Sequence, residues 1–153
     1  MADANTSGHP HKMVLDLPAD NQNIHKVNAF IHAELERRGC PSSAQGQLDI
    51  ALEEFFVNSC RYAYDGAAPD VPRTVRVTQA FGDDPPSVTV QIIDHGAPFD
   101  PLAKPDASTV DTYASASDIP VGGLGIFMAK QCVDEIRYER DDAANVITLV
   151  KRW

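Results

Sequence analysis

The apolar residues of this chain recur at two periods, and the period changes several times along it. In "KMVLDLP" (12–18), Met13, Leu15 and Leu17 take every second position, the pattern of a strand with one buried face. In "NQNIHKVNAFIHAELERRG" the period lengthens. Ile24, Val27, Ile31 and Leu35 fall on one side of a helix, and Gly39 stands where it would stop. His25 and His32 lie on the same helix and read as surface or boundary residues. "SSAQGQLDIALEEFFVNSCRYAYDG" is a second helix, with Ser42 or Ser43 as its cap and Asp65-Gly66 as its end. Leu48, Leu52, Phe55, Ser59 and Tyr62 form one stripe on it, apolar apart from Ser59. Gln47, Glu54, Asn58 and Arg61 form another on a different side. "RTVRVTQAF" (Arg73–Phe81) and "SVTVQIID" (Ser87–Asp94) alternate again, with "GDDPP" between them as a hairpin connector. Gly125–Val133 is a third helix, and "DEIRYER" and "NVITLVKRW" form a hairpin across "DDAA".

The order is strand, two helices, two strands, a long loop, a helix and two strands. It predicts one α+β domain over residues 12–153, a two-layer sandwich with a mostly antiparallel sheet and its helices on one face. One stretch has no period: "GAPFDPLAKPDASTVDTYASASDIPV". A long irregular segment inside a compact domain reads as a functional lid, about residues 97–121.

Composition narrows the function. The 153 residues are 43% hydrophobic and 23% charged, an ordinary globular balance. A net charge of -9 repels a phosphate backbone and argues against direct nucleic-acid binding, although it leaves room for a local nucleotide pocket. Cys40, Cys60 and Cys132 are odd in number and widely spaced, which argues against a disulfide framework or a zinc site. "MADANTSGHPHK" has no apolar core of the secretory kind, and no apolar run reaches a membrane span, so the expectation is a cytoplasmic protein with a disordered tail over residues 1–11. The sequon at Asn5 is then idle, and His9 and His11 belong to the tail.

Three places carry candidate chemistry. Gly122, Gly123 and Gly125 precede or open a helix, whose unpaired N–H groups attract anions; they suit a phosphate cradle or a tight turn. The G-x-x-x-x-G-K-[ST] phosphate loop is absent, and the G-x-G-x-x-G fingerprint fails because Met128 stands at its last position. Glu54 and Asn58, four apart, share a helix side. They offer a base and a neutral oxygen for Mg²⁺, with Arg61 within reach of an anion, or else they form a solvated face that includes Glu53. Asp94 closes an apolar strand just before Gly96, where it either receives an exocyclic amine or caps a turn. Thr148 is either a second polar group of that pocket or a strand threonine.

"EEFFVNSCRYAYDG", "IIDHGAPFDP" and "GGLGIFMAKQCVDEIRYER...NVITLVKRW" occur in that order. Together they resemble the N box and the two glycine boxes of the histidine-kinase-like ATPase superfamily, the Bergerat fold. The short form most resembles the bacterial anti-sigma factor serine/threonine kinases. The resemblance implies ATP and Mg²⁺ as cofactors. It implies Asn58 as the Mg²⁺ ligand, Glu54 as general base, Arg61 on phosphate and Asp94 on the adenine amine with Gly96 beneath the base. Gly122, Gly123, Leu124 and Gly125 would sit at the phosphates, and Thr148 would share a water with Asp94. The first glycine box normally reads D-x-G-x-G, and here Pro98 takes its last position; Tyr62 stands where histidine is frequent; Lys104 is the one lysine of the lid. The implied partners are a STAS-like anti-sigma factor antagonist, as phosphoacceptor, and a sigma factor. The alternative is an ATP-dependent switch that sequesters a partner without transfer. Relatives often dimerise, and "KMVLDLP" could pair at a sheet edge to give a homodimer.

Overall fold

In the computed structural model, residues 11–103 and 123–153 are described. The elements run β1 (Met13–Pro18), α1 (Ile24–Arg37), α2 (Ser42–Tyr62), β2 (Thr74–Asp83), β3 (Pro86–Asp94), α3 (Gly123–Cys132), β4 (Glu135–Asp141) and β5 (Ala144–Arg152). Short 3-10 turns at Asn21–Asn23 and Pro101–Ala103 complete them. The expected α+β architecture is the observed one. The sheet has five strands in the order β1-β2-β3-β5-β4, and every neighbouring pair is antiparallel.

The register shows which side carries the helices. Leu17 pairs with Val75, Val77 with Ile92, Ile92 with Ile147, and Val90 with Leu149. Directly opposed residues point to the same face. These residues join Val27, Ile31 and Leu35 of α1, Leu48, Leu52, Phe55 and Phe56 of α2, and Ile126 and Ala129 of α3 in one core. Phe55 and Phe56 are 1% and 0% exposed. Burying one such side chain is worth about 1.5–3 kcal/mol, so the pair dominates the attachment of α2. Where α1 and α2 meet nearer the surface, His32 Nε2 and Asp49 Oδ1 lie 2.7 Å apart.

Some element ends differ from the sequence reading. Helix α2 starts at Ser42 itself, and neither serine caps it. Pro41 holds the cap position in an extended conformation with no side-chain bond, and Pro41 O receives the first helical N–H, from Gln45. Helix α3 begins two residues earlier than expected. The segment after β3 is not a free lid from its first residue. Ala97 N donates to Ala63 O, Phe99 N donates to Asn145 Oδ1, and Asp100 Oδ1 accepts from Leu102 N. Residues 97–103 are thus a strap tied to the end of α2 and to the sheet. Residues 1–10 of the expected tail, residues 104–121 of the expected lid, Lys104 among them, and Gly122 lie outside the described residues.

The strap sets a tight steric condition. A Cβ on Gly96 would lie 1.8 Å from Ala63 O and 2.7 Å from Ala63 Cα, both backbone atoms that cannot yield cheaply. Gly46, inside α2, has nothing within 4 Å of its Cβ direction. Gly96→Ala is expected to lose about 1–3 kcal/mol through overpacking, while Gly46→Ala gains about 0.5–1 kcal/mol from helix propensity. Urea denaturation of the two variants checks this. Equal midpoints would contradict the close approach at Gly96.

Candidate functional site

Helix rotation decides what α2 offers the site. With Phe55 and Phe56 turned into the core, Glu54 is carried to the flank that meets α3, and Asn58 comes to the same side one turn later. Asn58 Nδ2 donates to Glu54 Oε1 at 3.3 Å. A Cβ built on Gly125 would fall 2.2 Å from Glu54 Oε2 and 2.7 Å from Oε1. The carboxylate therefore occupies the space that glycine leaves open in the first turn of α3. No acidic residue of α3 itself lies in that turn. Glu54 thus places its charge beside the positive end of the α3 dipole. The adjacent Glu53 is exposed, as the sequence reading had it.

A second group forms where β3 ends and β5 begins. Asp94 and Asn145 are directly opposed in the ladder and are each 4% exposed. Asp94 Oδ1 accepts from Gly96 N at 3.0 Å and from Asn145 Nδ2 at 2.8 Å. Its other oxygen, Oδ2, has no partner among the described residues. Asn145 Nδ2 also donates to Ala97 O at 2.8 Å, and Asn145 Oδ1 accepts from Tyr138 Oη at 2.7 Å. A small pocket opens here, walled by Phe55, Asn58, Ala63, Asp94, Phe99 and Asn145 among others. Asn58 lines this pocket and is bonded to Glu54. Asp94 and Asn58 thus share one pocket, and the Asn58–Glu54 bond links it to a second pocket lined by Glu54 and Gly125.

Of the residues singled out in the sequence, Asp94, Asn58 and Glu54 come together, with Gly125 against Glu54. Gly123 and Leu124 are in the first turn of α3. Thr148 does not belong to the group. It pairs with Gln91, whose Nε2 donates to Thr148 Oγ1 at 3.3 Å, on the sheet face away from the helices. An odd step along a strand inverts the side chain, so a residue three beyond Asn145 cannot share its face. Arg61 is also displaced. It is exposed and opens with Cys60, Tyr64 and Arg73 onto a separate pocket. Three residues past Asn58 leave it about 60° short of a full turn. Gly96 has a reason within the fold itself: it lets the Ala63 backbone approach where a Cβ would clash. Asn145 and Tyr138 were missed. The sequence signal for Asn145 was its place at the start of the last strand, which an antiparallel ladder sets against the end of the strand that Asp94 closes. Arg140, whose Nη1 donates to Gly96 O at 2.8 Å, was missed as well.

The cysteines are free thiols. Burial first, then the nearby charges of Asp20 and Asp94, pushes the Cys60 thiol up to about 12. It stays protonated at neutral pH and has no nucleophilic part in the cleft.

The residues fit a magnesium nucleotide. Asn58 keeps Oδ1 without a partner among the described residues while its Nδ2 is engaged, and a neutral amide oxygen suits a hard cation that retains waters and phosphate oxygens. Among the described residues no three His, Cys, Asp or Glu side chains gather as a metal cage, so protein ligands other than Asn58 would be few. No helix among them is long and apolar enough to cross a membrane.

Comparison with known proteins bears on the fold and family. The serine-protein kinase RsbW of Listeria monocytogenes serovar 1/2a is 25% identical over 137 residues, covering 89% of this chain and 84% of that one. The serine-protein kinase RsbW of Listeria innocua serovar 6a is 24% identical over the same shares. Among solved structures, the RsbU and RsbW domains of a Mycobacterium tuberculosis protein superpose with a TM-score of 0.63 at 22% identity, over 93% of this chain and 32% of that longer one. The SiaB–SiaC complex of Pseudomonas aeruginosa superposes with a TM-score of 0.55 at 15% identity, over 91% and 88%. Residues 17–151 match the histidine kinase-like ATPase domain, and the chain belongs to that family.

Proposed function

We propose that the chain is an ATP-dependent protein serine/threonine kinase of the anti-sigma regulatory type. The observation that supports this reading is the run of contacts from Asp94 to α3. Asp94 and Asn58 line one pocket, Asn58 is bonded to Glu54, and Glu54 abuts the first turn of α3. Asp94 Oδ2 accepts from the adenine amine. Asn58 Oδ1 would hold Mg²⁺, which would neutralise charge on the phosphates. The N–H groups of the α3 first turn, at Gly123, Leu124 and Gly125, receive phosphate oxygens. Glu54 takes the proton of an acceptor serine or threonine hydroxyl as that oxygen bonds to the terminal phosphorus and ADP is released. The phosphoacceptor is a STAS-like anti-sigma factor antagonist, and a sigma factor is the second partner. The similarity to serine-protein kinases named RsbW supports this choice. Strand β1, at one edge of the sheet with Val14 48% exposed, is where a second copy would pair to form a homodimer.

The test combines labelled ATP, Mg²⁺ and candidate antagonist proteins, with phosphoserine or phosphothreonine identified by mass spectrometry. Glu54→Gln is expected to bind ATP·Mg²⁺ within a few-fold of wild type and to lose transfer by roughly 10²–10⁴-fold, the range for a positioned general base. Asn58→Ala is expected to lose the Mg²⁺-dependent part of ATP affinity and transfer together. Transfer by Glu54→Gln at the wild-type rate would remove Glu54 as the base. If the wild type binds a partner in an ATP-dependent way and never phosphorylates it, the chain is a binding switch instead.

Gly125→Ala probes the same carboxylate from the other side. Its Cβ displaces the end of a flexible side chain, so the protein is expected to unfold cooperatively and within about 1 kcal/mol of wild type. Transfer is expected to fall by about 10²-fold, because a base moved by an ångström is misplaced. Wild-type transfer in this variant would show that the position of Glu54 against α3 is immaterial.

A further inference from the structure

Asn145 has every hydrogen-bonding position filled, and the backbone fixes which way its amide faces. Ala97 O can only accept, so it requires Nδ2, at 2.8 Å. Phe99 N can only donate, so it requires Oδ1, at 3.2 Å. With that orientation set, the second hydrogen of Nδ2 meets Asp94 Oδ1 at 2.8 Å, and the second lone pair of Oδ1 meets Tyr138 Oη at 2.7 Å. The amide has no alternative arrangement that satisfies these partners. Asp94 Oδ1 also receives Gly96 N at 3.0 Å, so that oxygen is committed to two donors, and Asp94 lines the pocket with Oδ2 unpartnered among the described residues.

We infer that Asn145 is a positioning residue for base selection: it fixes the Asp94 carboxylate as an acceptor aimed into the pocket, and so sets the preference for adenine over guanine. The inference rests on the reading of Asp94 as the adenine-binding group and goes beyond it by assigning the selectivity to a second side chain. Adenine offers an amine donor at its six-position, and guanine offers a carbonyl oxygen. A fixed acceptor accommodates the first and repels the second. A carboxyl group released from Asn145 can rotate, exchange its oxygens, or carry a proton towards the guanine carbonyl. Discrimination by a site of this kind depends on a polar group that cannot change its role.

The test compares ATP and GTP affinities, each with Mg²⁺, in wild type, Asn145→Thr and Asn145→Val, with thermal melts of the nucleotide-free proteins alongside. Threonine and valine have nearly the same shape, and only threonine can donate a hydrogen bond to Asp94. Both variants lose the bonds to Ala97 O and Phe99 N, so both are expected to melt below wild type by similar amounts. The ATP-over-GTP preference is expected to stay within a few-fold of wild type in Asn145→Thr and to fall by about tenfold or more in Asn145→Val. Tyr138→Phe, which removes a contact on the far side of the amide, is expected to keep the wild-type preference.

A merely structural role would weaken ATP and GTP equally in both variants and leave their ratio unchanged, which would overturn the inference. So would an equal loss of preference in threonine and valine. Failure of the wild type to prefer ATP at all would instead overturn the adenine reading of Asp94. Should Asn145→Val not fold, the comparison of Asn145→Thr with Asn145→Ala decides in the same way, since alanine also lacks the donor.

Discussion

The arrangement depends on the burial of two adjacent phenylalanines. Phe55 and Phe56 sit side by side on α2 and are both turned under the sheet. Neighbouring residues on a helix are about 100° apart, so burying both leaves α2 little freedom to rotate about its axis. That rotation decides where Glu54 and Asn58 point. It carries them to the gap between α2, α3 and the end of β3, where a small change in helix phase would turn them towards solvent. The same helix supplies a large share of the apolar core and the two polar residues of the cleft, so stability and site geometry are properties of one element.

A second constraint closes the far end of the cleft. The last turn of α2 approaches Gly96 so closely that no side chain fits between them. Tyr64, buried just beyond the helix, donates its hydroxyl to Thr74 O and accepts from His95 N. The strap after Asp94 is therefore held between the helix end and the sheet. Asn145 fastens it from below through Ala97 O and Phe99 N. Buried polar groups at such a place would be costly if left unpaired, and here the Asn145 amide is satisfied in full. Asp94 lines the pocket, and its Oδ2 has no partner among the described residues. An open carboxylate in a small, partly apolar cavity fits a ligand that presents a donor.

Much of the fold was legible because its periods are clean. The α1 stripe of Val27, Ile31 and Leu35 and the alternation in β3 each have one buried side, and the structure follows them. The three-motif resemblance pointed to Glu54, Asn58 and Asp94, which the structure brings near one another, with Gly125 against Glu54. The failures have a physical cause. In β5, residues 145–150 are all buried, so alternation does not distinguish the two faces, and nothing in the strand's own pattern points to Asn145 rather than Thr148. Only the pairing with β3 separates them. Arg61 was assigned by distance along the helix, where the angle around it decides. The contact between Gly96 and Ala63 joins residues far apart in sequence, and no local pattern reveals it.

The claim that a nucleotide lies along this cleft, base at Asp94 and phosphates at the first turn of α3, is tested most directly by following backbone amide signals by NMR during a titration with ATP and Mg²⁺. The account predicts saturable shifts at two separate places, the amides of His95, Gly96 and Phe99 at one end and of Gly123, Leu124 and Gly125 at the other. Adenosine alone should move only the first set. The residues of the opposite sheet face, Gln91 and Thr148 among them, should move little in either titration. Shifts confined to the pocket beside Arg61 and Arg73, or no saturable shift at Gly96, would contradict it.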